Sequence, residues 1–347
     1  MTGPSPRAVA TASPQTLTAA SPRAVTLASA RGALAPIPVL DVGGTHVTAA
    51  LVDPSTDRPV PSSVTRRPLG AHAAADGILD AIAAAALELP AGHRPTWGVA
   101  MPGPFDYATG VGRFTGMGKF ESLSGVDVGA GLRQRLADRA ERLCFLNDAD
   151  AFAIGEHRAG AAAGHDRVVC LTLGTGVGSS FLSTGRPVHD DPRVPPSGHV
   201  HRLTVRGRPL EDTVSRRGIR AHYSRLTSPA NDQDVPDAHR DAHPNIHPDV
   251  HEIAARAKEG NAAAVEAFRY AFDALGQALA PWIDRFDSTA VVVGGSMAQS
   301  WDLVHPALTA GLASGGSADA PVLPARQPAE APLIGAAHWA QVTPGAP

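Results

Sequence analysis

The sequence predicts an α/β protein in which short buried strands alternate with helices. An apolar strand, a glycine turn and a return strand follow one another over residues 37–53, and the same pattern recurs over residues 167–182. Apolar residues also recur at intervals of three and four over residues 78–87 and 265–283, which is typical of helices with one buried face. Alternating strands and helices of this kind favour sheets with parallel strands.

Composition limits the possible partners of the chain. Its 347 residues are 43% hydrophobic and 18% charged, which is enough apolar material for one large unit or two ordinary domains. The formal charge is −3 and basic residues form no cluster, so we expect neither nucleic acid nor an anionic membrane as a partner. The sequence contains no run of 18 apolar residues, so no membrane span is predicted. A small-molecule partner is favoured.

Two cysteines, Cys144 and Cys170, are too few for a disulfide framework. They are typical of small core residues in a reducing compartment, so we expect a cytoplasmic protein. Residues 1–36 consist mainly of Ala, Ser, Thr and Pro and contain no acidic residue, which predicts a disordered arm. A transit peptide has a similar composition, but no amphipathic face is evident.

A His- and Pro-rich segment, residues 228–250, is expected to be an insertion loop. Histidines recur at every fourth residue, at His239, His243, His247 and, directly after the segment, His251. That spacing would place imidazoles on one face of a helix as metal ligands. Because Pro244 and Pro248 interrupt such a helix, we expect a solvated loop instead.

Three glycine turns stand at the ends of apolar strands, where backbone N–H groups can approach a phosphate without hindrance from a Cβ. The turns are Gly43-Gly44-Thr45, the run Gly174-Thr175-Gly176 with Gly178, and Gly294-Gly295. Asp41 precedes the first turn, and Asp148 stands at a strand-to-helix junction between the first and the second. Neither of the two lysines, Lys119 and Lys258, belongs to a Walker-type P-loop. This order of turns and carboxylates is typical of an ATPase that binds phosphates through separate turns.

Five segments of the chain resemble the ROK family (repressors, open reading frames, sugar kinases) over about residues 37–340. The family's phosphate-1, catalytic and phosphate-2 segments are similar to LDVGGTHVTAALVD, FLNDADAFAIGE and LTLGTGVGSSFL, and its nucleoside-binding turn and C-terminal signature to VVVGGS and LIGAA. The resemblance implies two RNase-H-like domains of the actin-like ATPase and sugar kinase type, residues 37–150 and 151–340. ATP and the substrate are then expected in the cleft between the domains.

The resemblance also implies roles for individual residues. Asp41 would hold Mg²⁺ through water, which suits a cation that keeps part of its hydration shell. Asp148 would accept the proton of the substrate hydroxyl, although an aspartate at this place also fits a helix N-cap. Asn147 would bind a substrate hydroxyl, and Asp150 is expected to be structural. The residues of the three glycine turns would hold the nucleotide.

The chain departs from the family pattern around a possible zinc site. Gly198-His199 is retained, but the cysteines that follow in zinc-containing relatives are replaced by the run Arg206–Glu211, so no structural zinc is expected. His199 and Glu211 match positions that contact the sugar and are predicted substrate ligands. The glutamate that usually precedes Gly-His is replaced by Pro195-Pro196-Ser197, which argues against glucose specificity.

A second departure is the segment Gly116–Asp127, which carries Lys119. This lysine is either a substrate or phosphate ligand or a surface residue. With PGPFDYATG and PLEDTVSRRGI, the segment resembles a branch of the family that includes C7-cyclitol kinases of aminocyclitol-antibiotic biosynthesis.

The sequence therefore predicts an ATP-dependent kinase for the exocyclic 7-hydroxyl of a cyclitol of valienone or valiolone type. A glucokinase or other hexose kinase is the first alternative. A sugar-sensing repressor is another, but residues 1–36 lack the apolar spacing of a DNA-binding helix pair. A sugar-binding relative without activity is disfavoured because Asp148 and the turns are intact. The resemblance also suggests a homodimer.

Overall fold

The computed structural model describes residues 35–228, 248–317 and 319–344, together with Met1 and Gly3. The predicted disordered arm and the predicted insertion at 228–250 lie almost entirely outside the described residues, as do His239, His243 and His247. In the described part of the chain, no helix has both the length and the apolar character needed to cross a bilayer.

The first sheet contains six strands from the N-terminal part of the chain. They are β1 (Ile37–Val42), β2 (His46–Asp53), β3 (Arg58–Pro59), β4 (Thr65–Pro68), β5 (Thr96–Met101) and, after a small hairpin of β6 (Phe105–Asp106) and β7 (Val111–Gly112), β8 (Arg142–Asn147). The strand order is β3-β2-β1-β5-β8, and β4 also pairs with β2. β2 runs antiparallel to β1, whereas β5 and β8 run parallel to it.

The second sheet repeats this topology with five strands. They are β9 (Arg167–Leu173), β10 (Val177–Ser183), β11 (Arg186–Pro187) and, after a separate hairpin of β12 (Thr204–Val205) and β13 (Arg208–Pro209), β14 (Val291–Gly294) and β15 (Val322–Pro324). The order is β11-β10-β9-β14-β15, with β10 antiparallel to β9 and β14 parallel to it. The twofold strand, turn, strand pattern of the sequence is thus confirmed as the start of two sheets of the same design.

Nine α-helices are described. They are α1 (Ala75–Leu87), α2 (Val128–Leu136), α3 (Asp148–Ala159), α4 (Glu211–Val214), α5 (Arg216–Thr227), α6 (Val250–Lys258), α7 (Ala262–Phe286), α8 (Trp301–Ser314) and α9 (Ala331–Val342). The apolar spacing is confirmed as the buried stripe of α7 from Phe268 to Ile283, whereas Val265, with which the predicted stripe begins, is exposed.

Three apolar clusters form the core. One packs α1 and α2 against the first sheet, and another packs α7 and α8 against the second. The third joins the two sheets through α3 and α9 and contains both cysteines, which are buried and free. Although α9 is the last described helix, it packs on β1 and β5 of the first sheet. The division of the chain at residue 150 stays a prediction.

Strand direction brings the predicted site residues to one region. Asp41 lies near the carboxyl end of β1, and Asn147 ends β8 two strands away. Gly174 and Gly295 directly follow β9 and β14. Ligands of α/β sheets bind outside the carboxyl ends of the parallel strands, so this edge is where a site is expected.

Candidate active site

Two carboxylates lie near the carboxyl ends of β1 and β8 in the first sheet, close enough for the charge of Asp148 to act on Asp41. Burial, and then the negative charge of Asp148, raise the pKa of Asp41 to about 7, while the charge of Arg66 opposes the rise. Burial likewise raises the pKa of Asp148 above that of an ordinary carboxyl group. Arg66 stands beside Asp41 because Asp41 pairs with Thr48, and Thr48 pairs with Arg66 on β4. The pair of carboxylates is therefore arranged to attract a cation.

The helix N-cap next to these carboxylates is Asn147. Its Oδ1 accepts a hydrogen bond from the backbone N–H of Ala149 at 2.9 Å, and Asp148 is the first residue of α3. The interpretation of Asp148 as the cap is therefore wrong by one residue. The carboxylate of Asp148 accepts the backbone N–H of Ala149 at 3.0 Å, and no side chain of the described residues donates to it. It is thus free to meet a ligand.

Tyr107 fixes the side chain of Asn147, a contact that the sequence did not indicate. Asn147 Nδ2 donates to the Tyr107 hydroxyl at 3.0 Å, and that hydroxyl donates to the carbonyl of Met101 at 3.2 Å. Because Oδ1 of Asn147 is used by the helix cap, both ends of its amide are oriented. Tyr107 and Asn147 are 40 residues apart, and only the hairpin of β6 and β7 brings them together.

The first glycine turn is tight and open on its outer side. Gly43 donates its N–H to the carbonyl of His46 at 2.8 Å, and the hydroxyl of Thr45 lies 3.0 Å from Nδ1 of His46. A Cβ added to Gly44 would meet only Lys119 Cδ, at 3.9 Å, which is ordinary contact. The absence of a side chain at Gly44 therefore leaves space that the protein itself does not fill.

Lys119 is half-buried rather than a surface residue. Besides lying beside Gly44, its ammonium opposes the rise that burial causes in the pKa of Asp148 and of Glu211. The structure thus places this lysine among the predicted phosphate turn, the predicted base and a predicted substrate ligand.

Glu211, the first residue of α4, contacts the second glycine turn. Its Oε2 accepts the N–H of Val177 at 3.3 Å, and a Cβ on Gly176 would stand 2.7 Å from its Oε1. The N–H of Gly174 donates to the carbonyl of Gly176 at 3.0 Å and closes the turn. Gly178 lies further along, where a Cβ would collide with Thr172 Oγ1 at 2.2 Å. Gly178 is therefore required by packing.

The third turn is also set by packing. A Cβ on Gly294 would stand 2.5 Å from Phe152 Cζ, and one on Gly295, whose φ is 87°, would stand 2.3 Å from the carbonyl oxygen of Leu173. Both glycines are therefore required by packing, and their contact with a nucleotide stays a prediction. A cleft does open there, between the second and third turns. Its walls are Gly174, Thr175, Arg216, Val250, His251, Ser296 and Met297.

His199 is presented by a loop that β10 holds in place. Ser179 Oγ donates to the carbonyl of Gly198 at 2.7 Å and accepts the N–H of Val200 at 2.9 Å. Burial, followed by the charges of His201 and Arg202, lowers the pKa of His199 to about 4. Its imidazole is therefore neutral at physiological pH and suited to hydrogen bonds with hydroxyl groups.

Asp150 reinforces the same loop through His189. Ser180 Oγ donates to Asp150 Oδ1 at 2.6 Å, and His189 Nε2 lies 3.1 Å from Asp150 Oδ2. The expected structural role of Asp150 fits these contacts. His189 sits 3.4 Å from the carbonyl of Ser197, two residues before His199.

We predict that the ion pair of His189 and Asp150 makes stability depend on pH. The hydrogen bond with Asp150 raises the pKa of His189 above 6.5, so the stabilisation is complete below about pH 6.5 and is lost as the pH rises through the folded-state pKa. Because the imidazole is half exposed, the effect stays below about 1 kcal/mol. Urea unfolding of wild type and His189→Gln should differ at about pH 5.5 and converge at about pH 8.5. A difference that does not change with pH would refute the ion pair.

Metal ligands are sparse in the described ranges. Residues 35–228, 248–317 and 319–344 contain no group of three or more His, Cys, Asp or Glu side chains placed to hold a metal ion. Cys144 and Cys170 belong to the core behind the site and not to the loop of His199.

Comparison with known proteins agrees with the resemblance seen in the sequence. The sequence profile of the ROK family matches residues 38–343. A glucokinase from Thermotoga maritima is 30% identical over 284 residues, which are 76% of this chain and 83% of that protein. A glucokinase from Streptomyces coelicolor is 26% identical over shares of the same size.

Solved structures share the fold. The crystal structure of a ROK hexokinase from Thermus thermophilus superposes with a TM-score of 0.68 at 24% identity and covers 88% of this chain and 98% of its own. A ROK family glucokinase from Streptomyces griseus, in complex with glucose and AMPPNP, superposes with a TM-score of 0.67 at 24% identity, covering 89% of this chain and 100% of its own. The two sheets of equal topology are thus the two RNase-H-like halves of an actin-like sugar kinase fold, and the chain belongs to the ROK family.

Proposed function

We propose that this ROK-family phosphotransferase moves the γ-phosphoryl group of ATP to the exocyclic primary hydroxyl of a C7-cyclitol of valienone or valiolone type. The observation that carries the proposal of a kinase is the convergence around Asp148. Lys119 lies beside the first glycine turn, and its charge acts on Asp148 and on Glu211, which contacts the second glycine turn. These elements therefore share one region.

Asp148 is the proposed general base. Its carboxylate stands at the start of α3 and accepts the proton of the acceptor hydroxyl as the hydroxyl oxygen attacks the γ-phosphorus. Asn147 orients that hydroxyl through its fixed amide. His199, which is neutral, and Glu211 hold hydroxyls of the ring.

Mg²⁺ fits the pair of carboxylates. Burial and the charge of Asp148 both add to the cost of ionising Asp41, and a divalent cation with its waters relieves that cost. Asp41 is the proposed holder of the ion, through water. When bound, Mg²⁺ neutralises charge on the ATP phosphates.

The nucleotide is assigned to the three turns. Gly43, Gly44 and Thr45 face the phosphates from the first sheet, and Gly174, Thr175 and Gly176 face them from the second. The nucleoside would lie in the cleft beside Ser296 and Met297, which follow the packed glycines of the third turn.

We predict that Gly44→Ala weakens nucleotide binding and leaves the fold intact. The added Cβ meets nothing closer than 3.9 Å, so the unfolding free energy should change by less than about 0.5 kcal/mol. The methyl group would occupy the approach of the phosphates, and the Kd for AMPPNP should rise about tenfold, equivalent to about 1.4 kcal/mol. Isothermal titration calorimetry measures the affinity. Unchanged affinity in a folded variant would place the phosphates elsewhere.

Tyr107→Phe is predicted to act on the acceptor. Removal of the hydroxyl releases the amide of Asn147 and costs about 1 kcal/mol of stability, since one hydrogen bond at each side of the oxygen is lost. We expect the KM for the acceptor to rise about fivefold, in keeping with about 1 kcal/mol, while the KM for ATP is unchanged. Steady-state kinetics with each substrate varied in turn decide this; an equal rise in both KM values would contradict the assignment.

The choice of a cyclitol depends on the loop before His199. Pro195 is buried and Pro196 is exposed, and neither offers a polar side chain to the anomeric end of a hexose. A carbocycle has no anomeric centre and needs no such group. A hexose kinase is the second candidate, favoured by the similarity to glucokinases.

The two candidates are separated by a substrate panel. Purified protein with ATP and Mg²⁺ is given valienone, valiolone or glucose, and kcat/KM for a cyclitol should exceed that for glucose by about tenfold or more. Asp148→Asn protein serves as the control for contaminating kinases. Equal or faster turnover of glucose would make this protein a hexose kinase.

A variant sharpens the comparison. Pro196→Glu places a carboxylate on the exposed position before Gly198-His199, with the backbone bond from the N–H of His199 to the carbonyl of residue 196 retained. It should raise kcat/KM for glucose relative to the cyclitol. If the ratio of kcat/KM for glucose to kcat/KM for the cyclitol stays the same, this loop does not bind the anomeric end of a hexose.

A further inference from the structure

The backbone around Lys119 is fixed on both sides. Phe120, which is fully buried, donates its N–H to the carbonyl of Ala71 at 2.7 Å. Its φ of 58° is left-handed, which a phenylalanine adopts only when its surroundings hold it. On the other side, Gly118 donates its N–H to Glu121 Oε1 at 2.8 Å. The backbone that carries Lys119 is therefore held in place by the fold.

That side chain is not used by an ion pair. Across residues 35–228, 248–317 and 319–344, no carboxylate lies within 4.0 Å of its ammonium, although Asp148 and Glu211 are near enough to feel its charge. Lys258, the second lysine of the chain, is different, since it lies 3.7 Å from Asp302 on the surface of α6. The half-buried side chain of Lys119 thus has its stem beside the open side of Gly44, and Asp148 and Glu211 are near enough for its charge to act on both.

An ammonium in this position fits an anion better than a hydroxyl. Its stem lies against Gly44, whose missing side chain leaves the space that the phosphates are proposed to enter. The transition state of phosphoryl transfer spreads negative charge over three equatorial oxygens. Donors that the fold holds in place for such charge stabilise it more strongly than water does.

We propose that Lys119 is a catalytic residue that donates N–H groups to the equatorial oxygens of the γ-phosphoryl group during its transfer. This inference rests on the proposed function. In the step, the acceptor oxygen bonds to the γ-phosphorus, and the bond from that phosphorus to the β,γ-bridging oxygen breaks with its electron pair leaving on ADP. The acceptor proton goes to Asp148, and Lys119 stays protonated throughout.

Three variants test the assignment. Lys119→Met removes the charge and keeps the length of the side chain, Lys119→Arg keeps the charge, and Lys258→Met is the matched control on the surface. We expect Lys119→Met to lower kcat about 100-fold or more with less than a threefold change in the KM for the acceptor. Lys119→Arg should retain more activity than Lys119→Met, and Lys258→Met should behave as wild type.

Binding gives a readout that is independent of turnover. In Lys119→Met the Kd for AMPPNP should rise about tenfold, while the Kd for ADP, which has no γ-phosphate, should change by less than about twofold. An equal loss for both nucleotides overturns the inference. A rise in the acceptor KM with kcat within about threefold of wild type overturns it as well, because Lys119 would then be an acceptor ligand.

Chemical labelling decides the question if Lys119→Met does not fold. Pyridoxal 5′-phosphate followed by borohydride modifies lysines, and peptide mapping separates Lys119 from Lys258 in the wild-type protein. AMPPNP should protect Lys119 and ADP should not; labelling that AMPPNP leaves unchanged refutes the inference. If wild type phosphorylates no acceptor but AMPPNP protects Lys119, the proposed function fails and the contact to the γ-phosphate stands.

Discussion

Asp148→Asn is expected to lower kcat by about three orders of magnitude, within the range of about 10²–10⁴ that general base catalysis contributes. The amide has the shape of the carboxylate but accepts no proton at physiological pH. It can still accept the N–H of Ala149, and Asn147 continues to cap α3. The loss therefore concerns the proton and not the position of the helix. Steady-state kinetics with saturating ATP and acceptor measure it.

Stability and nucleotide binding should move differently from kcat. Burial raises the pKa of Asp148 above its ordinary value of 3.8, so the ionised form costs folding free energy above that pH, and the cost disappears as the pH falls below 3.8. Asp148→Asn should thus be at least as stable as wild type near neutral pH. The Kd for AMPPNP should change by less than about twofold.

Asp127→Asn is the matched control. Asp127 is exposed, and its Oδ1 caps α2 by accepting the N–H of Ala130 at 2.7 Å. The same substitution at the start of another helix should leave kcat unchanged, since asparagine is an equally good cap. If Asp148→Asn keeps a tenth or more of the wild-type kcat, Asp148 is not the base.

The turns and strands of this protein were predictable because their signals are local. A run of apolar residues that ends on glycine predicts both a strand and the place where it ends. Because this pattern occurs twice, it also predicted the second sheet. The helical stripe of residues 265–283 likewise needs no tertiary information. The sequence located the region of Asp41, Asp148 and the first two turns for this reason.

The side-chain contacts of the site were beyond such reasoning. From the sequence alone, Lys119 could be a surface lysine. In the structure, the hydrogen bond from Phe120 to Ala71, 49 residues earlier in the chain, fixes the backbone next to Lys119. Tyr107 lies within the segment PGPFDYATG, but nothing in that segment indicates its link to Asn147, which depends on a hairpin that is only two residues long on each strand. The glycines of the third turn are also required by the packing of Phe152 and Leu173, which their local pattern did not indicate. Long-range packing decides all three cases.

A second large effect is expected from Gly335→Ala, which should destabilise the fold by about 3 kcal/mol. Gly335 of α9 and Gly155 of α3 let the two helix backbones touch. A Cβ on Gly335 would stand 1.9 Å from the carbonyl oxygen of Ala151, and one on Gly155 would stand 1.9 Å from that of Ala331. Because the added Cβ would meet backbone atoms in both cases, no change of side-chain rotamer can relieve the clash, and the helices must separate.

Gly77→Ala provides the comparison within the same class of substitution. Gly77 is exposed near the start of α1, and its added Cβ would meet only the Cβ of Ala73 at 3.7 Å. Alanine is the better helix former, so this variant should gain up to about 1 kcal/mol. Urea unfolding of both variants beside wild type measures the two changes, which should have opposite signs.

The contact of α3 with α9 also bears on activity. Asp148 is the first residue of α3, and Gly155 lies two turns further along the same helix. Separation of α3 from α9 moves that helix, and a small displacement of a catalytic group is costly in rate. Gly335→Ala should therefore lower kcat even at temperatures where it stays folded, whereas Gly77→Ala should not. A Gly335→Ala protein within about 1 kcal/mol of wild-type stability would show that the two backbones are not in contact.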